Sequence, residues 1–208
     1  MLFFRKESKQ QCVSVEYSQL YTKEYIAVID TETTWGDRVM SIGIVIADKH
    51  TFTQICRRYF ILTPEYLEGG MYSFSLDTKN TPIEECSRAK AIKAIIQLLS
   101  KYNIDSICAY NAKFDFNHLP ELSTYKWYDI MRIAAYKQYN HAIPAYLDFC
   151  NTGRLKRGYG VEPIYRMLSG DSFYNETHNA INDAIDELNI IRMLGYPFST
   201  YENVAKIN

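Results

Sequence analysis

The pattern of apolar and polar residues along the chain predicts strands first and helices later. Tyr25 to Ile29 is an apolar run, Met40 to Ala47 alternates with Ile42, Ile44 and Ile46 on one side, and Thr53 to Leu62 continues the strand pattern. Asp48-Lys49-His50 reads as the turn between the last two. The period changes at Thr81-Pro82-Ile83-Glu84, where Thr81 suits a cap, Pro82 the first helical position and Glu84 a capping box, so a helix is expected to start there. Ile92, Ile95, Ile96, Leu99 and Tyr102 then give that helix one apolar face.

A second strand-helix alternation starts at Ser106 to Tyr110, passes through Asn111-Ala112 into a short helix, and resumes at Trp127 to Ile130 before another helical stretch. Pro163 to Leu168 reads as a helix stopped by Gly170. Ala180 to Leu194 is the clearest helix: Ile181, Ala184, Ile185, Leu188 and Ile191 share a face, Asp186, Glu187 and Asn189 lie away from it, and Gly195 and Pro197 end it. Strands in sequence followed by strand-helix crossovers are the order of an α/β fold. No repeat, low-complexity tract or Pro/Gly/Ser linker divides the 208 residues, so a single domain is expected, with its core over about 25–195, a polar arm over 1–24 and a short tail over 196–208.

Composition narrows the class. Lys plus Arg number 23 against 24 Asp plus Glu, so no uniform field draws the molecule to a polyanion, and anion binding has to be local. Eighteen Tyr and ten Phe exclude a disordered, solvating chain. The five cysteines are scattered and form no CxxC pair, which reads as reduced thiols. The Met-Leu-Phe-Phe start meets Arg5 and Lys6 at once, too short for a signal core, and a cytoplasmic protein is expected.

The candidate chemistry lies in carboxylates. Asp30 and Glu32 end the first apolar run, and the two-residue period of a strand points both to one face. Acids that close repel unless a cation sits between them, and an all-oxygen site suits Mg²⁺ or Mn²⁺; alone, the pair also fits a solvated strand end. Asp115 follows the next core strand, where a parallel sheet would bring it beside the first. His178 and Asp183, five residues apart, do not share a face of one helix, so His178 converges with Asp183 only from the preceding loop. A histidine there is suited to take a proton from water.

Together these segments carry a resemblance. Ile29-Asp30-Thr31-Glu32-Thr33-Thr34, Asn111-Ala112-Lys113-Phe114-Asp115 and His178-Asn179-Ala180-Ile181-Asn182-Asp183-Ala184 resemble, in order and context, the three motifs of the DEDDh (DnaQ-like) 3′→5′ exonucleases. The resemblance implies a ribonuclease H-like fold, a mixed five-stranded sheet with its first three strands antiparallel, flanked by helices. It implies that Asp30, Glu32, Asp115 and Asp183 bind two Mg²⁺ or Mn²⁺ ions and that His178 is the general base. A histidine five before the last aspartate, with Asn at 179, separates the chain from the sister group that has a tyrosine four before it. Thr33, Thr34 and Asn111 become candidates for contact with the terminal nucleotide.

Two features depart from the family pattern. Trp35 stands where the family often has glycine and is a candidate for stacking on a base. Thr152 to Gly160 is longer and more basic than a minimal member needs, and Arg154, Lys156 and Arg157 are candidates for phosphate contact, with Tyr159 beside them. His118, Asp129 and His141 read as structural or surface residues, Asp129 as a cap. The expected activity is release of nucleoside 5′-monophosphates from the 3′ end of single-stranded or frayed DNA, in proofreading or repair. RNA trimming is the alternative; a non-catalytic nucleic-acid-binding module and a phosphatase of small nucleotides are the competitors. Nucleic acid with a free 3′ end is the expected partner, with room for a polymerase or a second copy of the chain, and no membrane.

Overall fold

The computed structural model describes residues 23–79 and 81–208, so the expected N-terminal arm lies outside the described residues except for its last two positions. β1 (Tyr25–Thr33), β2 (Val39–Asp48) and β3 (Gln54–Leu62), strands as their periodicity predicts, run antiparallel in sequence order, as the resemblance implies. β4 (Ile83–Cys86) adds a parallel edge beside β3; β5 (Ser106–Ala109) lies parallel to β1, and β6 (Lys126–Asp129) parallel to β5. The result is a mixed six-stranded sheet in the order β4-β3-β2-β1-β5-β6.

The sixth strand is the main correction to the sequence reading. Thr81 to Glu84 does not begin a helix: Ile83–Cys86 pairs with Tyr59–Leu62, and Arg58 on β3 holds Glu84 in a two-point ion pair at 2.7 and 2.5 Å. That pairing uses the carboxylate a capping box would need, and a proline just ahead of an edge strand breaks no ladder bond. The helix α1 (Arg88–Lys101) starts later, from Ser87. Ile96, expected on its inner face, is exposed, while Leu98 is buried instead.

The remaining helices are α2 (Lys113–His118), α3 (Met131–Ala134), α4 (Val161–Ser169), α5 (Ala180–Leu194) and α6 (Phe198–Val204). α4 and α5 end on Gly170 and Gly195, both with φ above +70°, the left-handed closure that glycine takes without cost. The expected tail over 196–208 belongs to the core: Phe198, Tyr201 and Ala205 are buried against β6 and the helices.

The sheet separates two hydrophobic layers, and this sorting positions the site. Along β1, Ala27 and Ile29 enter the layer shared with α1, while Ile26 and Val28 enter the layer shared with α4, α5 and α6. The period of two therefore sends Asp30 and Glu32 toward the α5 side. Each fully buried isoleucine in these layers, Ile26 or Ile44 for example, contributes roughly 1.5–3 kcal/mol relative to an exposed one. α5 descends onto the sheet at Gly43, the residue paired with Asp30, where any Cβ would stand 2.1 Å from the Ala180 carbonyl oxygen. Only glycine lets the start of α5 come that close.

Candidate functional site

Three chain segments converge where β1 ends, β5 ends and α5 begins, around a cleft of about 400 Å³. Six carboxylates line it: Asp30, Glu32, Asp37, Asp115, Glu176 and Asp183. No Lys or Arg does so among the described residues.

Each motif is held by local chemistry. The Thr31 hydroxyl donates to Asp115 Oδ1 at 2.7 Å, tying the end of β1 to the start of α2. Asn111 takes φ +56°, a left-handed turn that asparagine tolerates, and its backbone N–H donates to Asp129 Oδ1 at 3.0 Å. The same oxygen accepts from the Met131 N–H, so Asp129, one residue ahead of the N-cap Ile130 rather than at the cap expected, holds the first N–H of α3 and also fixes the turn that presents Asn111 to the cleft. His178 stands ahead of α5 with φ +50°, off the helix, as its spacing from Asp183 requires. A nitrogen of its ring and an oxygen each of Glu32 and Asp183 all lie within 4.8 Å of one another. Asn179 then caps α5, its side-chain oxygen accepting from the Asn182 N–H.

The electrostatics follow from acids crowded without counter-charge. Burial pushes Asp30 well above the usual carboxylate range, helped by Asp115, Glu187 and Asp183. Burial followed by Glu176 and Asp115 raises Glu32 to about 8. Asp183 is pushed up to about 8 by burial, Glu176 and Glu32. Asp115 rises less, to about 7, because the Thr31 hydroxyl partly offsets its burial. Burial lowers His178, so its ring is neutral and able to accept a proton at pH 7. These side chains suit a hard divalent cation: oxygen donors gathered in one cleft, whose mutual repulsion a bound cation would relieve in place of protons.

Thr33, Thr34 and Trp35 line the same cleft as Asn111. Trp35 is 71% exposed on its rim, and its backbone N–H donates to the Gly69 carbonyl. The Thr34 hydroxyl closes its own turn, accepting from the N–H groups of Gly36 and Arg38. Arg154, Lys156 and Arg157 do not line the cleft; they sit in a segment joined to it where the Tyr110 hydroxyl donates to the Tyr159 carbonyl. His118 bridges Asp37 and the Phe114 carbonyl, and His141 is exposed.

Sequence reasoning missed three residues. Glu187, placed away from the apolar face of α5, is buried to 1% exposure, accepts from the Tyr110 N–H and keeps its Oε2 without a partner among the described residues. The signal was present: a residue four after Asp183 shares its helical face, so an inward Asp183 carries Glu187 inward. Glu176 lines the cleft from the loop before His178, and nothing in its spacing marks it. Tyr72 stacks on His178 from a segment with no strong pattern.

No family model matches the sequence, and no curated protein is similar to it. Solved structures are similar in fold. A 3′-exonuclease solved in specific recognition of the histone mRNA stem-loop 3′ end aligns with a TM-score of 0.59 at 16% identity, over 83% of this chain and 64% of that one. The nuclease domain of 3′hExo, a DEDDh family member bound to rAMP, aligns with a TM-score of 0.57 at 14% identity, over 90% of this chain and 98% of the other. A zinc-bound E. coli exonuclease I in complex with single-stranded DNA gives 0.55 at 14%, over 83% of this chain and 40% of that one. The chain thus spans just under two thirds of the first of these and less than half of the last. At such identities the likeness establishes the fold: the ribonuclease H-like fold on which DEDDh 3′-exonucleases are built.

Proposed function

We propose that the protein is a divalent-metal-dependent 3′→5′ exonuclease that releases nucleoside 5′-monophosphates from single-stranded or frayed ends. The observation that carries this reading is the convergence of Asp30, Glu32, Asp115 and Asp183 with His178 in a cleft that six carboxylates line and that, among the described residues, no Lys or Arg enters. With its acids ionised, such a cleft would repel a polyanion unless cations came with it. Asp30, Glu32, Asp115 and Asp183 would hold Mg²⁺ or Mn²⁺, which when bound supplies Lewis-acid stabilisation of the phosphodiester and a water of lowered pKa.

The chain's own residues do the rest. The His178 ring, neutral at pH 7, takes a proton from the attacking water and returns it to solvent. Thr31 keeps the Asp115 carboxylate oriented through its hydroxyl. Thr33, Thr34 and Asn111 bound the space for the terminal sugar, and Trp35 offers its exposed ring to an unstacked base. A paired end has to fray before its last phosphodiester reaches the floor, which gives the preference for single strands. Arg154, Lys156 and Arg157 contact phosphates farther from the end, by charge and without reading sequence.

DNA is the first substrate of this reading, and fold neighbours solved with single-stranded DNA support it. The rAMP and histone mRNA complexes of other neighbours favour RNA as the second reading. Labelled DNA and RNA oligomers of one sequence, incubated side by side with Mg²⁺, Mn²⁺ or EDTA, test both. Trimming from the 3′ end with either metal, blocked by EDTA and strongly slowed in His178→Ala, is the expected result. Binding without hydrolysis in Mn²⁺ at any pH would overturn the enzyme in favour of a binding module, and cleavage of mononucleotide esters alone would point to a phosphatase.

A further inference from the structure

We infer that Tyr72 is a positioning residue for His178, resting this on the exonuclease reading above: the segment Gly70–Leu76 is a clamp that holds the histidine loop in its working position. A proton acceptor on a loop faces a geometric problem. His178 lies outside α5, its backbone sits in the left-handed region at φ +50°, and no hydrogen bond from its own ring holds it among the described residues. Its side-chain direction must come from packing.

Two independent contacts supply it. The Tyr72 ring lies on the imidazole at 3.9 Å between centroids and 17° between planes, a near-parallel stack that removes the freedom of the His178 side chain to swing outward. The next residue, Asn179, is buried to 1% exposure and donates its amide to the Ser75 carbonyl at 2.6 Å and to the Leu76 carbonyl and the Tyr59 hydroxyl at 3.2 Å each. The Tyr59 hydroxyl in turn donates to the Leu76 carbonyl at 2.9 Å. The His178 ring and the side chain of the next residue are therefore gripped by one segment.

That segment is seated on the strand that carries the acids. A Cβ at Gly70 would stand 2.4 Å from the Thr33 carbonyl oxygen and 3.1 Å from the Met40 side chain, so glycine there lets the clamp press against the end of β1. Glu32 and Thr33 on β1, Tyr72 in the clamp and His178 in the loop thus form one rigid frame. The ring sits next to Glu32 and Asp183 because Tyr72 leaves it nowhere else to pack.

The test is a double-mutant cycle on 3′-end trimming, with Tyr72→Ala, Tyr72→Phe, His178→Ala and Tyr72→Ala/His178→Ala assayed at saturating substrate. Tyr72→Ala is expected to lower kcat about three- to tenfold with KM within about twofold, the scale of removing one aromatic stack. Tyr72→Phe restores most of that loss because the hydroxyl is not used. In the His178→Ala background, Tyr72→Ala has no further effect, since its role passes through the ring it holds. The His178 ring-proton NMR signal, shifted by the Tyr72 ring current, moves in Tyr72→Ala whatever the catalytic outcome. An unchanged signal, an unchanged kcat, a Phe variant as slow as Ala, or additive losses in the double variant would each overturn the clamp. A wild-type protein that trims neither DNA nor RNA would overturn the exonuclease reading, and this inference with it.

Discussion

The floor of the cleft gathers acidic side chains and the segment 136–160 basic ones, and the two solve opposite problems. On the floor, Asp30, Glu32, Asp115 and Asp183 are crowded together, and burial raises the pKa of each. In the segment, Lys137, Arg154, Lys156 and Arg157 face Asp148 as the only acid, and none forms an ion pair among the described residues. Arg154 lies over the Tyr159 ring at 4.6 Å and Lys137 over Phe149 at 5.1 Å, so aromatic faces hold these cations without neutralising them. Bridges from Tyr136 to Arg154 and from Phe149 to Leu155 fix the backbone beneath. A net charge of −1 hides this separation. One region concentrates carboxyl groups and the other cationic side chains, the division that the proposed reading as a nuclease would use.

Substitutions in the two regions should therefore separate chemistry from attraction. The largest effect belongs to the floor: Asp183→Asn or Asp30→Asn is expected to cut trimming about 10³-fold or more, a deficit of several kcal/mol in transition-state stabilisation, while the metal-free protein becomes more stable at pH 8. Activity and melting temperature measured on the same variant check this; a variant that loses both would make the acid structural instead. In the basic segment, Arg154→Ala/Lys156→Ala/Arg157→Ala is expected to weaken single-strand binding about tenfold or more at low salt and to flatten the salt dependence by about 0.7 for each phosphate that is no longer neutralised. Its kcat at saturation should hold, and a fall in kcat would erase the division between the regions.

Trp35→Ala comes next, with a drop of about 1–3 kcal/mol in affinity if one base stacks there, read as a change in Kd that salt does not alter. The smallest effect is on stability against pH. Floor acids whose pKa is raised on folding bind protons that the unfolded chain has already released, so the folded state is favoured at acid pH and loses that advantage as pH rises through about 7 to 8. The metal-free melting temperature should fall by several degrees between pH 5 and pH 9, and Mn²⁺ should restore it most at the alkaline end. A flat profile with Mn²⁺ absent would show that the floor acids do not repel as their positions require.

How far the sequence showed this site depends on how each residue is held. Asp30 and Glu32 were legible because a strand alternates and their neighbours Val28 and Ile29 face opposite layers. His178 was legible through an incompatibility, since five residues from Asp183 is not one helical face. Glu187 could have been read from Asp183 but was lost to an apolar-stripe reading, which assumes a helix buries one side, whereas α5 is covered by the sheet and by α4 together. β4 was hidden because Thr81-Pro82-Ile83-Glu84 satisfies a local helix rule, and only Arg58, distant in sequence, draws Glu84 into a strand. Tyr72 had no local signal at all: its role comes from a ring 106 positions away.

Local sequence was enough for the three opening strands, the last helix with its glycine stop, and the residue types of the acidic motifs. These depend on neighbours within a few residues, where steric periodicity and capping act. Long-range packing was needed to add a sixth strand to the sheet, to bring Glu176 and Glu187 among the acids, to set the basic segment beside the cleft and outside it, and to place Tyr72 on His178. Each of these joins segments far apart along the chain, and forms where burial and charge compensation outweigh what either segment prefers alone.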